Sequence, residues 1–185
     1  NTNTMHHPIK ISDQIYYVGV NDRRTELFEN MWPLPNGVAY NSYLIDDEKI
    51  TIIDTVETTF LEKWLSKIRT VIGERPISYL IVNHMEPDHS GSIRVLTELY
   101  PDIKIIGNKK TLPMLDGFFG ITKNTIEISE GEKISTGKHE FQFYFVPMVH
   151  WPESMVTFET TTATLFSSDA FGSFDTWETE FRRIG

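Results

Sequence analysis

The stretch Val82-Asn83-His84-Met85-Glu86-Pro87-Asp88-His89-Ser90-Gly91 constrains this chain more than any other. Within six residues, His84 to His89, it places two imidazoles and two carboxylates, stiffened by Pro87 and closed by Ser-Gly. The run Tyr79-Leu80-Ile81-Val82 just before it reads as a buried strand. The polar groups therefore sit where a strand gives way to a loop, a usual place for chemistry in α/β proteins. Bunching them beside a buried strand is costly unless they are paired or bound to metal. A polar turn with coincidental acids is the bland alternative, and it leaves that cost unexplained.

Composition narrows what such a loop can do. The chain has 185 residues, 39% of them hydrophobic, which is enough for one domain with a sizeable core and short for two. A formal net charge of -9 argues against a nucleic-acid backbone or an anionic membrane surface as partner. With no cysteine, disulfides, cysteine-ligated iron–sulfur clusters and thiolate zinc sites are excluded, so any metal rests on His, Asp and Glu. No apolar run approaches the length of a membrane span, and Asn1-Thr2-Asn3-Thr4-Met5-His6-His7 carries no apolar export signal. The expected setting is the cytoplasm.

The chain opens with β character. Ile9-Lys10-Ile11 and Gln14 to Val18 bracket a turn at Ser12-Asp13, and residues 21–36 read as an irregular excursion. One strand is expected over Val38 to Ile45, followed by a tight turn and its hairpin partner Ile50 to Ile53, ending at Asp54. Phe60, Leu61, Trp64, Leu65, Ile68 and Val71-Ile72 recur at helical spacing, and Gly73 with Pro76 supplies the stop. Ile77 to Val82 delivers the loop; Ser90 or Ser92 can cap a helix through Leu99. A strand at Lys104 to Gly107 and a helix over Thr111 to Phe119 follow. Strands are then expected at Thr125–Ile128, Phe141–Val146, Met155–Glu159 and Thr164–Ser167. Helices confined to the middle of so many strands predict two packed sheets with helices outside, an α/β (α+β) sandwich.

Two later residues join the loop. His150 follows the strand ending near Val146, and Asp169 follows Leu165-Phe166-Ser167-Ser168, so all three segments can meet at one sheet edge. Six candidates (His84, Glu86, Asp88, His89, His150 and Asp169) exceed the roughly three protein ligands that a single catalytic metal uses. Two metals sharing a carboxylate would use them all. Pro87 fixes its own φ and pushes Glu86 into an extended conformation, letting neighbouring side chains splay apart.

His84-Met85-Glu86-Pro87-Asp88-His89-Ser90-Gly91, then His150-Trp151-Pro152-Glu153-Ser154-Met155, then Asp169-Ala170-Phe171-Gly172 resemble the flavodiiron proteins, members of the metallo-β-lactamase-fold superfamily. The resemblance runs from about Val38 to Gly172 and implies an αββα sandwich. Most relatives of that fold are zinc hydrolases with histidine where this chain has Glu86; a carboxylate makes the site harder and more anionic, which suits iron in higher oxidation states. Carried over residue by residue, the resemblance puts one iron on His84, Glu86 and His150. It puts the second on Asp88 and His89, with Asp169 bridging. In the family the second iron takes one more histidine from farther along the chain. Here no histidine follows Asp169. The family's longer acidic loop after Asp-Ala-Phe-Gly is likewise replaced by Ser173-Phe174 and a capped helix start at Asp175-Thr176-Trp177-Glu178. The flavodoxin-like FMN domain that the resemblance implies is expected to lie outside these residues. Residues 1–185 are therefore expected to form one metal domain, incomplete at its C-terminal end.

The resemblance implies reduction of dioxygen to water or of nitric oxide to nitrous oxide. Electrons would come from FMN, fed by rubredoxin or a similar donor, in a head-to-tail homodimer. A binuclear zinc hydrolase of the same fold is the alternative, with Glu86 the feature against it; a metal-binding sensor without turnover is a third reading. Trp151, Phe171 and Phe174 are candidate pocket walls, and either Tyr40 or Tyr43 is a candidate donor facing the metals. His139, beside Thr136-Gly137-Lys138, is expected at the surface, and His6 and His7 in the terminus.

Overall fold

Alternating apolar residues along the strands give this chain two β-sheet layers. A computed structural model describes residues 7–22 and 37–171, with the backbone of 27–28 and 32–33. The strands up to the first helix are β1 (Ile9–Ser12), β2 (Ile15–Tyr17), β3 (Val20–Asp22), β4 (Leu27–Phe28), β5 (Trp32–Pro33), β6 (Val38–Tyr40), β7 (Tyr43–Ile45) and β8 (Thr51–Ile53). Helix α1 (Leu61–Ile72) leads to β9 (Tyr79–Ile81), and the short α2 (Pro87–Ser90) to α3 (Ile93–Leu99). Then come β10 (Lys104–Gly107), α4 (Thr111–Phe119), β11 (Thr125–Glu127), β12 (Lys133–Ser135), β13 (Glu140–Phe145), β14 (Met155–Glu159) and β15 (Thr164–Phe166).

The first sheet has seven strands in the order β1-β2-β7-β8-β9-β10-β11, and the second has four, β12-β13-β14-β15. In the first sheet β8, β9, β10 and β11 run parallel, which aligns their C-terminal ends along one edge. One face of this sheet offers Leu44, Ile52, Leu80 and Ile105 to a cluster that also holds Trp64 and Ile68 of α1, Ile93 and Leu96 of α3, and Leu115 of α4. The other face offers Ile45, Ile53, Ile81 and Ile106 to Phe141, Phe143, Met155 and Phe166 of the second sheet. The two-residue alternation thus sorts successive side chains into two cores. Truncating a buried aromatic between the sheets, such as Phe143→Ala, is expected to cost about 3–5 kcal/mol.

Helix α1 matches its expected bounds and ends at Gly73, whose φ is 61°. The strand expected over Val38 to Ile45 breaks at Asn41-Ser42 and its halves enter different sheets. The break has a cause: Ser42 is buried, its Oγ donates to the Asp54 carbonyl (2.8 Å) and accepts from Trp64 Nε1–H (2.9 Å). Ser92 stands before α3 but makes no side-chain cap; its hydroxyl donates to the Val56 carbonyl instead (2.8 Å). The expected helix start at 175–178, and Phe174, lie outside the described residues. Among the described residues no helix is long and apolar enough to cross a membrane.

Candidate metal centre

The aligned ends of the parallel strands hold the site in place. β8 is followed at once by Asp54, whose φ of 54° turns the chain sharply. Its Oδ1 accepts the Asn83 backbone N–H at 2.7 Å just past β9. Asn83 then ties the two sheets together, donating from Nδ2 to the Phe166 carbonyl (3.1 Å) and accepting at Oδ1 from Thr157 Oγ1 (2.7 Å). Glu86 is extended (φ -58°, ψ 144°), as Pro87 requires, and Pro87 opens α2 at the position where a missing N–H costs nothing. Gly91 closes the turn because a Cβ there would lie 2.7 Å from the Pro87 carbonyl oxygen.

All six sequence candidates converge in two groups that share one residue. Ligand atoms of His84, Glu86, His150 and Asp169 lie within 4.8 Å of one another, as do those of Asp88, His89 and Asp169. Glu86 Oε2 lies 3.1 Å from His84 Nε2 and 2.8 Å from His150 Nε2. Asp169 divides its oxygens: Oδ2 is 3.8 Å from His84 Nε2 and 3.6 Å from His150 Nε2, while Oδ1 is 2.8 Å from His89 Nε2. Asp88 Oδ2 is 3.6 Å from His89 Nε2. Ligand atoms bound to one ion at about 2.0–2.2 Å sit roughly 3–3.5 Å apart, so these spacings suit coordination. The buried Asp88 Oδ1 has no hydrogen-bond partner, which a cation would remedy. The donors are nitrogen and oxygen throughout, a set suited to iron, manganese or zinc. His84, Glu86 and His89 are buried, whereas the His150 side chain is 53% exposed at the mouth.

The imidazoles and carboxylates of the site shift one another's affinity for protons. Burial alone would depress His84, but hydrogen bonds to Glu153 and Glu86 outweigh it and raise its pKa to about 9. Burial likewise opposes the charge on His89, yet Asp169 and Asp54 hold it well above the ordinary imidazole value. Asp88 is pushed up to about 6 by burial, helped by the charges of Asp169 and Glu86 against the pull of His89. Burial works against ionised Asp169, but contact with His89, His84 and His150 brings it down to about 2.

Two buried acids, Glu153 and Asp54, back the imidazoles from behind, and neither is among the six ligand candidates. Glu153 Oε1 lies 2.8 Å from His84 Nδ1, and Asp54 Oδ2 lies 3.6 Å from His89 Nδ1. A sequence signal was present for Asp54, an acid directly after the largely apolar run Ile50-Thr51-Ile52-Ile53; Glu153 carried none, because its partner lies 69 residues away. Trp151 packs edge-on against His84, ring centres 5.3 Å apart, and Phe171 is exposed. Tyr40 turns its hydroxyl to Asp22 Oδ2 (3.3 Å), and Tyr43 packs between Tyr17 and Phe166. His139 corrects an expectation: it is buried, 2% exposed, because its turn folds over Asp47 and places its imidazole against Glu159.

The chain is similar to several known proteins. The chain is 35% identical over 170 residues to the nitric oxide reductase of Moorella thermoacetica, covering 91% of this chain and 43% of that protein. Among solved structures it superposes on the flavodiiron protein from Giardia intestinalis with a TM-score of 0.89 at 30% identity, covering 95% of this chain and 43% of that one. It also matches the rubredoxin oxygen:oxidoreductase of Desulfovibrio gigas with a TM-score of 0.79 at 33% identity, covering 83% and 38%. In each case the chain spans under half of its relative's length. Residues 38–184 match the model of the ODP family beta lactamases. The chain belongs to that family, as the metallo-β-lactamase-like domain of a flavodiiron protein.

Proposed function

We propose that this domain holds two iron ions and serves an oxidoreductase that reduces dioxygen to water, nitric oxide to nitrous oxide, or both. The observation that carries the reading is Asp169, whose two oxygens face the two donor groups separately. His84, Glu86 and His150 would hold one ion, Asp88 and His89 the other, with Asp169 between them. Iron held there would supply electrons to a diatomic oxidant. The chain's own residues fix the donors, keep the buried side dry with Trp151 and Met85, and leave the His150 edge open for a small molecule.

The other parts of the reaction come from outside this domain. FMN, a rubredoxin-like electron donor and a head-to-tail pairing of subunits complete the proposal. Glu86 is the residue that weighs against a binuclear zinc hydrolase, since it adds negative charge where imidazole would suit zinc. Metal analysis of anaerobically purified full-length protein tests the proposal. About two irons per chain with FMN, and consumption of dioxygen or nitric oxide under reducing conditions, are expected. Stoichiometric zinc with ester or thioester hydrolysis and no gas uptake would overturn it.

A further inference from the structure

We propose that Glu153 is the positioning residue for His84, setting which ring nitrogen faces the metals and locking the ring from behind. The inference rests on the metal-binding reading above. Glu153 is fully buried, and one oxygen, Oε1, lies 2.8 Å from both His84 Nδ1 and the Met85 backbone nitrogen. The Met85 amide can only donate, so Oε1 faces this corner as an acceptor. His84 Nδ1 must then carry a proton, so when the ring is neutral its lone pair is on Nε2, the nitrogen on the side of Glu86 and Asp169 where a metal would sit. A neutral imidazole with Nδ1 protonated and Nε2 free is the form a metal requires at this position.

The residue is itself held from two sides. Its carbonyl accepts from Asn108 Nδ2 (2.7 Å), and Asn108 Oδ1 in turn accepts the backbone N–H groups of Lys110 and Thr111 at the start of α4. Just beyond it, the Met155 N–H donates to the Asn83 carbonyl at 3.0 Å, joining this segment to the residue before His84. One short segment therefore does two jobs. His150 offers a ligand at the open edge, and Glu153, three residues on, braces a ligand at the closed side. Glu153 Oε2 is buried without a hydrogen-bond partner. A packing role would not call for a carboxylate with half its acceptor capacity unused, whereas a role in directing and polarising His84 does. Among the described residues His150 has no such brace: its close charged contacts there, to Glu86 and Asp169, run through Nε2.

The test uses the full-length protein, Fe(II) titration against a competing chelator, and Mössbauer spectra that distinguish the two irons. Glu153→Leu removes the acceptor; Glu153→Gln keeps an acceptor oxygen and the shape but loses the charge. Glu153→Leu is expected to weaken one of the two irons by about 10- to 100-fold and to alter that iron's signal alone, with Glu153→Gln in between. Wild-type affinity and spectra in both variants would overturn the inference. So would equal loss of both irons together with a lowered unfolding midpoint, which is what a purely structural residue gives. If Glu153→Leu does not fold, Glu153→Gln decides by the same two readouts. A wild-type protein that binds no metal pair fails before any variant is made, and that result overturns the metal-binding reading itself.

Discussion

Two buried polar clusters sit at opposite ends of the same strands, and they satisfy their acids in opposite ways. At the far end, Asp47 accepts the backbone N–H groups of Glu48 (2.8 Å), Lys138 (3.1 Å) and His139 (2.9 Å) and the Thr136 hydroxyl (2.8 Å). Glu159 accepts the Thr161 and Thr162 N–H groups (2.8 and 2.7 Å) and the Thr162 hydroxyl. These carboxylates use the chain's own amides and so fasten turns. At the near end, Glu86 and Asp169 face imidazoles, and Asp88 Oδ1 faces no hydrogen-bond partner. Acids spent on backbone amides build the fold; acids left facing ring nitrogens with lone pairs to spare are available to a cation.

This contrast can be broken by substitution. The largest effect is expected from Asp169→Ala, which removes the one donor common to both groups. Iron should fall from about two per chain to one or fewer, read by metal analysis, with little change in urea unfolding of the metal-free protein. Retention of both irons would remove the bridge from the account. At the far end Glu159→Leu should do the reverse. It leaves the Thr161 and Thr162 N–H groups and His139 without their acid, at a cost of roughly 1–3 kcal/mol in urea unfolding, with iron content unchanged.

A pH series sharpens the same comparison. Burial opposes ionised Glu159, but hydrogen bonds from Thr162 and Thr161 outweigh it and bring its pKa from the ordinary 4.5 to about 2. A depressed acid stabilises the fold fully above its unfolded pKa and loses that contribution as pH falls through the folded one. The stability difference between the parent and Glu159→Gln should therefore be constant above about pH 5 and shrink steadily toward about pH 2. A difference that does not shrink would mean Glu159 is not held ionised by these bonds. The smallest effect is expected from Thr136→Val, which deletes one hydroxyl bond to Asp47 and should cost about 1 kcal/mol. Any loss of iron in that variant would show that the two ends are not independent.

Much of this was legible in the residues because periodicity and ligand chemistry are local signals. Helix α1 and the hairpin of β7 and β8 follow from spacing alone, and the six donors were visible as a cluster by type. What was not legible depends on partners far away in sequence. His139 looks like a turn residue until Asp47, 92 positions earlier, draws the turn inward. The split between β6 and β7 arises because Ser42 is claimed by Asp54 and Trp64, which no local pattern announces. Glu153 reads as one more acid until its partner His84, 69 residues away, is placed against it.

Asp169 has a thermodynamic consequence. On the proposed reading its two oxygens belong to different ions, so neither position can be filled without changing the conditions for the other. An ion in one group would fix the side chain in place, sparing the next ion that ordering, while its charge would oppose the next arrival. Whichever of these prevails, the coupling must be equal in both directions. The factor by which the first ion alters the affinity for the second is also the factor by which losing the second alters the hold on the first.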